Sequence, residues 1–569
     1  MAQSEGDFEF YLRSLSSQTR DSSSPDPSSD PYLLPSVSKI YEMCKEGGSD
    51  EMITRAFNQM SKLYQRCISV SNQSQTSNGV LLLTMLQFFL DFGDVVLHDT
   101  DSSLRSFFRS CLSREFADPV VAGRLLEFLN FNKTKILKSF PALLPQFFPL
   151  LLKLIAWNGE SLEKPFLSIL PLMVSAGSFI PLFPSLIDLP LLVVALEKVE
   201  KKNSGTLIGS SIASIQKSAA PEMLLALMDE AYTGSAIENL GDGSGLDDNG
   251  SFDLADPSFL EILKDENDGI AERHWTSPTM AATLLAAVSN PQSDRLKQTL
   301  QMSPRIIGLY FSIALREIND SLLCALIPLL MSRYDTMCPD KTFCFEVRKR
   351  LSDFMLAVFQ RCPHFIALLK KPIMDRLAEA YDSPAKTELG LHLCWAIGEH
   401  GAGGASYKDV ARVLFESLEL LLYENLATSR LGLNQESTID PKGNSSGKSS
   451  QARLLCFVVT AIGKLATCHN ELLPRARVSL AKVARSKVVD RRVWQRACDY
   501  LGLMDEPALC LSVLGPTTEE ASGPGIVDWS KGDSKMVAHI PFYLLAEQEG
   551  APYHDFSFGD VFPVDENPS

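Results

Sequence analysis

Apolar residues fall in blocks of ten to twenty along this chain, separated by short polar stretches that often open on proline, and strict alternation of apolar and polar residues is hard to find. That spacing predicts helices rather than strands. From Ser406 to Tyr423, Val410, Leu414, Leu418 and Leu421 share one helical face while Asp409, Arg412, Glu416 and Glu419 lie opposite. Ser406 and Asp409 have the spacing of a capping box. From Pro304 to Glu317 the apolar surface is broader. Ile306, Tyr310, Ile313 and Ala314 form one stripe and Ile307, Phe311 and Leu315 the next, so this helix is expected to be covered on two sides. Proline stands at or near the start of many blocks, as at Pro119, Pro165, Pro221, Pro278 and Pro474, where the first helical position needs no amide donor.

Many helices of this kind joined by short links are what stacked helix pairs require. The pattern predicts an all-α chain, an irregular α-solenoid of the HEAT/armadillo kind, with a set of separate helical bundles as the alternative. No sharp tetratricopeptide or ankyrin consensus is visible. Composition sets the expected divisions: a disordered, Ser/Pro/Asp-rich N-terminal segment (1–36), helical solenoid (37–232), an acidic linker (233–277), a middle solenoid (278–426), a disordered Ser/Gly-rich linker (427–451), a C-terminal solenoid with a basic face (452–515) and an irregular tail (516–569). In that tail, Tyr553 to Phe562 reads either as packing or as a short acidic-aromatic docking peptide.

Charge sharpens this picture. At 569 residues and a net charge of -16, the chain is too long for one core and too acidic overall for a general nucleic-acid binder. Residues 229 to 272 hold 13 Asp/Glu against Lys264, so much of the acidity sits in one linker. The 12 cysteines include no CxxC pair, and Cys111, Cys324, Cys394, Cys456 and Cys498 lie in apolar blocks, as reduced core residues do. The first residues lack the basic flank and apolar run of a signal peptide, so a cytoplasmic protein is expected. Residues 166 to 187 carry no charge and are long enough to span a bilayer, but Pro171, Pro181 and Pro184 interrupt them. Two buried helices joined by a turn around Ser175 to Ser178 are expected there instead.

No enzyme class gains support. The run from Gly443 to Ser449 looks like a phosphate-binding loop, yet it has three residues between its glycines where four are needed, and no strand precedes it. A flexible linker is expected. Cys338 with Cys344, Cys362 with His364, His392 with Cys394 and Cys468 with His469 are loose pairs lacking a second pair at ligand spacing, so neither a metal nor another cofactor is expected. One charge constellation stands out. Lys464, Arg475, Arg477, Lys482, Arg485, Lys487, Arg491, Arg492 and Arg496 fall in one stretch against Glu471 and Asp490. The stretch is either a solvated helical face or a docking surface for an acidic partner or anionic lipid. Asp490 is placed to cap a helix in which Val493, Trp494, Ala497 and Leu501 turn inward.

Several stretches carry a resemblance: Leu151 to Asn158, Ile169 to Gly177, Leu186 to Pro190, Trp395 to Glu399 and Leu472 to Ala476. In this order and spacing they resemble the zeta-subunit family of adaptor protein complex 5, a late-endosomal relative of the clathrin adaptors. The resemblance implies an adaptin-trunk solenoid joining beta-, mu- and sigma-type subunits in a heterotetramer. It also implies association with spastacsin and spastizin, and work in cargo sorting after peripheral recruitment to late endosomes and lysosomes. It brings no catalytic or ligand residues. Trp157 and Trp395 are expected to wedge helix pairs together. The rival readings are another helical scaffold, such as a nuclear-transport or chromatin-associated HEAT protein, and a nucleotide-dependent DNA-repair helicase suggested only by Gly443 to Ser449.

Overall fold

The computed structural model describes residues 2–20, 31–71, 77–202, 208–212, 262–267, 278–290, 293–382, 386–401, 408–432, 444–486 and 489–506. Among these there is no strand. The chain divides into two compact units, residues 1–318 with 337–344, and residues 319–336 with 345–569.

In the first unit, α1 (Ala2–Arg20), α2 (Leu33–Lys45), α3 (Asp50–Ser71) and α4 (Gly79–Val96) pack on one another. They are followed by α5 (Thr100–Ser106), which runs on into a π-helical turn (Phe107–Leu112). Next come α6 (Pro119–Phe131), α7 (Lys133–Ser139), α8 (Leu143–Asn158), α9 (Glu163–Met173), α10 (Phe179–Ile187), α11 (Leu189–Lys202), α12 (Pro278–Ser289) and α13 (Asp294–Glu317). Each helix packs mostly on near neighbours in sequence, α4 on α6, α6 on α9 and α8 on α11, the contact pattern of stacked helical repeats.

Two expectations for this unit hold in detail. The uncharged run at 166–187 is two helices, and the Ser175–Ser178 turn closes with Phe179 N–H donating to Ser175 O at 2.9 Å. In α13, Ile306, Tyr310, Ile313, Ala314, Ile307 and Phe311 are all buried, while Leu315, expected in the second stripe, is half-buried. Tyr310 stacks on Phe179 and donates its hydroxyl to the Phe179 carbonyl at 2.8 Å. Trp157 packs under the Arg295 guanidinium, 3.7 Å from its ring centre, and so ties α8 to α13.

One other is corrected. The expected disorder over 1–36 gives way to α1 and to α2 beginning at Leu33. Phe8, Leu12 and Leu15 recur at helical spacing and are buried, so a stripe of three apolar residues anchors a segment whose average polarity hides it. Most of the acidic linker 233–277 lies outside the described residues, but 262–267 are held against the first unit, with Leu263 fully buried.

In the second unit, α14 (Asp320–Arg333), α15 (Lys341–Arg361, whose first residues belong to the first unit), α16 (His364–Leu368) and α17 (Lys370–Asp382) precede the central pair. That pair is α18 (Thr387–His400) and α20 (Asn444–Cys468), with α19 (Lys408–Gly432), α21 (Leu473–Arg485) and α22 (Arg491–Asp505) packed about them. Gly398 allows the close approach of α18 and α20, because an added Cβ there would lie 3.2 Å from Ala461 Cα. Trp395, on the same helix, is buried and meets His400 edge-on.

The expected linker at 427–451 is shorter than its composition suggests, since α19 continues to Gly432 and α20 starts at Asn444. Helix propagation adds a hydrogen bond per residue once a buried stretch such as Leu454 to Leu465 has nucleated it. Residues 444–449 therefore form the first turns of α20 and not a linker; Gly443 lies outside the described residues, as does Ser406 of the expected capping box. Glu419, expected on the polar face of α19, is buried. Among the described residues, two helices, Gly79–Val96 and the 451–468 part of α20, are long and apolar enough to cross a membrane, but 56% and 83% of their residues respectively are buried in protein.

Candidate functional site

The nine basic residues singled out in the sequence do not form one face. Lys464 lies inside the protein and pairs with Glu399 of α18, and burial pushes its ammonium down to about 7. Arg475 bridges α21 to α19 through Glu416 Oε1 at 2.8 Å and Glu419 Oε2 at 2.6 Å, which is why Glu419 is tolerated inside. Arg477 holds the end of α22 by the Met504 carbonyl and Asp505 Oδ1 at 3.2 Å. The Lys482 ammonium sits 4.1 Å from the centre of the Tyr423 ring and donates to its hydroxyl at 2.9 Å. These four are structural ties.

Arg491, Arg492 and Arg496 lie in the first two turns of α22. Asp490 caps this helix as expected, accepting from Arg492 N–H at 2.9 Å, and Val493 and Ala497 turn inward. Trp494 does not; it is 39% exposed and donates its indole N–H to the Ala484 carbonyl at 2.9 Å. Leu501 is only half-buried, and Tyr500 and Met504 take the inward places, because the buried stripe runs 493, 497, 500, 504. Arg485 and Arg491 are exposed and make no ion pair among the described residues. Lys487 lies outside them.

Arg491, Arg492 and Arg496 line a pocket of about 330 Å³ together with Arg453 of α20, Gln495 and Asp499. Arg492 shares the Asp490 carboxylate at 3.1 Å, and this pairing holds Asp490 below the ordinary carboxylate range. Arg496 donates to Thr460 Oγ1 at 3.2 Å. Arg453 pairs with Glu388 at 3.1 Å, while its buried Nε has no hydrogen-bond partner among the described residues. Four guanidinium groups thus face one lining carboxylate, Asp499, which Gln495 already engages at 2.9 Å. Planar guanidinium forks set around a polar cavity suit an oxyanion, whether carboxylate or phosphate.

Arg453 stands apart from the basic run, 11 residues before Lys464. The one clue to it is register: Arg453, Cys456 and Thr460 are spaced by three and four residues and so share a face of α20 with which Arg496 makes contact.

Comparison with known proteins agrees at both ends of the chain. Residues 28–153 match a family described as AP-5 complex subunit, vesicle trafficking. Residues 258–531 match one described as AP-5 complex subunit zeta-1, C-terminal TPR repeats. AP-5 complex subunit zeta-1 of Mus musculus is 23% identical over 500 residues, 85% of this chain and 55% of its own length. The Homo sapiens protein of the same name is 23% identical over 464 residues, 78% of this chain and 51% of its own. The chain therefore spans about half the length of the curated relatives it matches. No solved structure matches.

Proposed function

The chain belongs to the zeta-subunit family of the AP-5 trafficking complex, and from that membership we propose that it serves as a non-enzymatic structural subunit of a heterotetrameric vesicle adaptor. Its partners on this reading are beta-, mu- and sigma-type subunits, with spastacsin and spastizin associated. It acts in the cytoplasm, recruited peripherally to late endosomes and lysosomes for protein sorting. The observation that carries the reading is that two separate stretches, residues 28–153 and residues 258–531, match AP-5 subunit families. Stacked helices support it, because they give long surfaces on which several partners can bind at once.

The arginine pocket is the part of this scaffold best suited to a charged partner. A cationic patch in an otherwise acidic chain raises the rate and the selectivity of docking to an acidic surface. The reading is tested by purifying the tagged full chain from cells. Co-purification of a sigma-type and a beta-type subunit in constant ratio is the expected result. A chain recovered alone, or with nuclear-transport or chromatin proteins instead, would overturn it.

A further inference from the structure

Lys153 is the one charged residue of α8. It lies in α8 between Leu152 and Leu154, its side chain is 0% exposed, and its ammonium donates to the Leu263 carbonyl and to Asp265 Oδ1 at 2.6 Å. Both partners belong to the six-residue segment 262–267. That segment makes three further polar contacts with α8 and the π-helical turn. Asn267 N–H donates to the Gln146 carbonyl at 2.6 Å, Gln146 Nε2 donates to Glu266 at 2.6 Å, and Arg109 grips Glu266 with two bonds of 2.6 and 3.1 Å. Leu263 fills the apolar end.

This is the anatomy of a peptide and its receptor. A buried ammonium is costly without a counter-charge, so the cleft requires an acidic occupant whichever chain supplies it. The receptor side is fixed by helices and by a π turn, a feature concentrated at functional sites. The peptide side is a short acidic stretch with one apolar anchor, and Arg109 and Lys153 read its two acids separately. We infer that the cleft between the π turn and α8 is a receptor for short acidic peptides bearing an apolar residue two places before an Asp-Glu pair, occupied in cis by residues 263–267. This site belongs to the first unit, and it does not depend on the chain's place in a complex or on the arginine pocket.

A cis occupant joined to its receptor by the same chain acts at a millimolar effective concentration, so a free peptide at micromolar concentration should compete poorly with it. The test is a fluorescence-anisotropy titration of a labelled synthetic peptide spanning residues 260–268 with the full chain. Asp265→Ala/Glu266→Ala should bind it about tenfold or more tightly than the wild type, since the charged contacts that fill the cleft are gone. Adding Arg109→Ala should remove that gain. A folded double variant that binds no better than wild type overturns the inference, as does a gain that survives Arg109→Ala. If the double variant fails to fold, Glu266→Gln, which leaves Asp265 on Lys153, takes its place in the same titration. There a weaker gain is expected, and none overturns the inference.

Discussion

Lys464 and Glu399 meet inside the second unit, their side chains 3% and 4% exposed, where Gly398 lets α18 and α20 approach closely. The pair explains why Trp395 to Glu399 reads as one motif: a buried aromatic, a glycine contact and a buried acid within about one turn of α18. Removing one charge from such a pair exposes the other to an apolar surrounding, whereas replacing both with apolar residues of similar volume is close to neutral. Lys464→Met alone is expected to cost about 3–5 kcal/mol, and Lys464→Met with Glu399→Leu to restore most of it. Urea unfolding of the three chains checks this; equal losses in the single and double variants would mean that packing, not charge, dominates.

Acid should loosen the clasp at 262–267 only below about pH 5. The Arg109 hydrogen bonds hold Glu266 below the ordinary carboxylate range. A carboxyl whose folded pKa is depressed contributes stability that is fully present above its unfolded value, about 4.3, and is lost as pH falls through the folded value. Wild type and Glu266→Gln should therefore differ in melting temperature by a constant amount from pH 7 to about 5 and converge below about 4. Convergence already at pH 6 would contradict the assignment.

Reversing Arg485 and Arg491 to Glu should leave the melting temperature within about 1 °C, because both are exposed and neither is tied into the fold. The same reversal should weaken binding to an acidic partner or an anionic vesicle, with the loss largest at low salt, where screening is least. Arg496→Glu is different. Its bond to Thr460 Oγ1 and its partial burial make some loss of stability expected, so it is a poor probe of docking alone.

Tyr310→Phe tests the packing of α10 on α13. The hydroxyl is fully buried, with the Phe179 carbonyl as its acceptor, and the stacked ring is kept by Phe. A loss of about 1 kcal/mol in thermal or denaturant unfolding is expected. A loss near zero would mean that the carbonyl is as well satisfied without it.

Most of the fold was legible because helical periodicity reports burial, and in α13 and α22 the stripe runs through Ile306, Tyr310 and Ile313, or Val493 and Ala497. What escaped was charge on the inside. Periodicity assigns Glu419 and Lys464 to the outer face by residue type, while their burial depends on Arg475 and Glu399, partners 56 and 65 residues away. For the same reason the basic run looked like one surface, although Arg475, Arg477 and Lys482 are consumed in ties between helices. The arginine pocket was half legible: α22 supplied three of its arginines, and the fourth came from α20. The helix at 2–20 and the clasp at 262–267 were hidden in polar composition, where a single stripe or a single leucine outweighs the average.

The π turn at Phe107–Leu112 has a consequence for insertions and deletions. Within those six residues the helix carries more chain per turn than an α-helix, while Phe107, Phe108, Cys111 and Leu112 still reach the core. Deleting one residue there would let the segment close as ordinary α-helix while α5 and the residues beyond Leu112 keep their relative register, because the turn holds the one residue in excess. Only positions inside the turn would change the way they face, Arg109 on Glu266 among them. The length of the chain at this point, as much as its chemistry, keeps a cation facing the clasp.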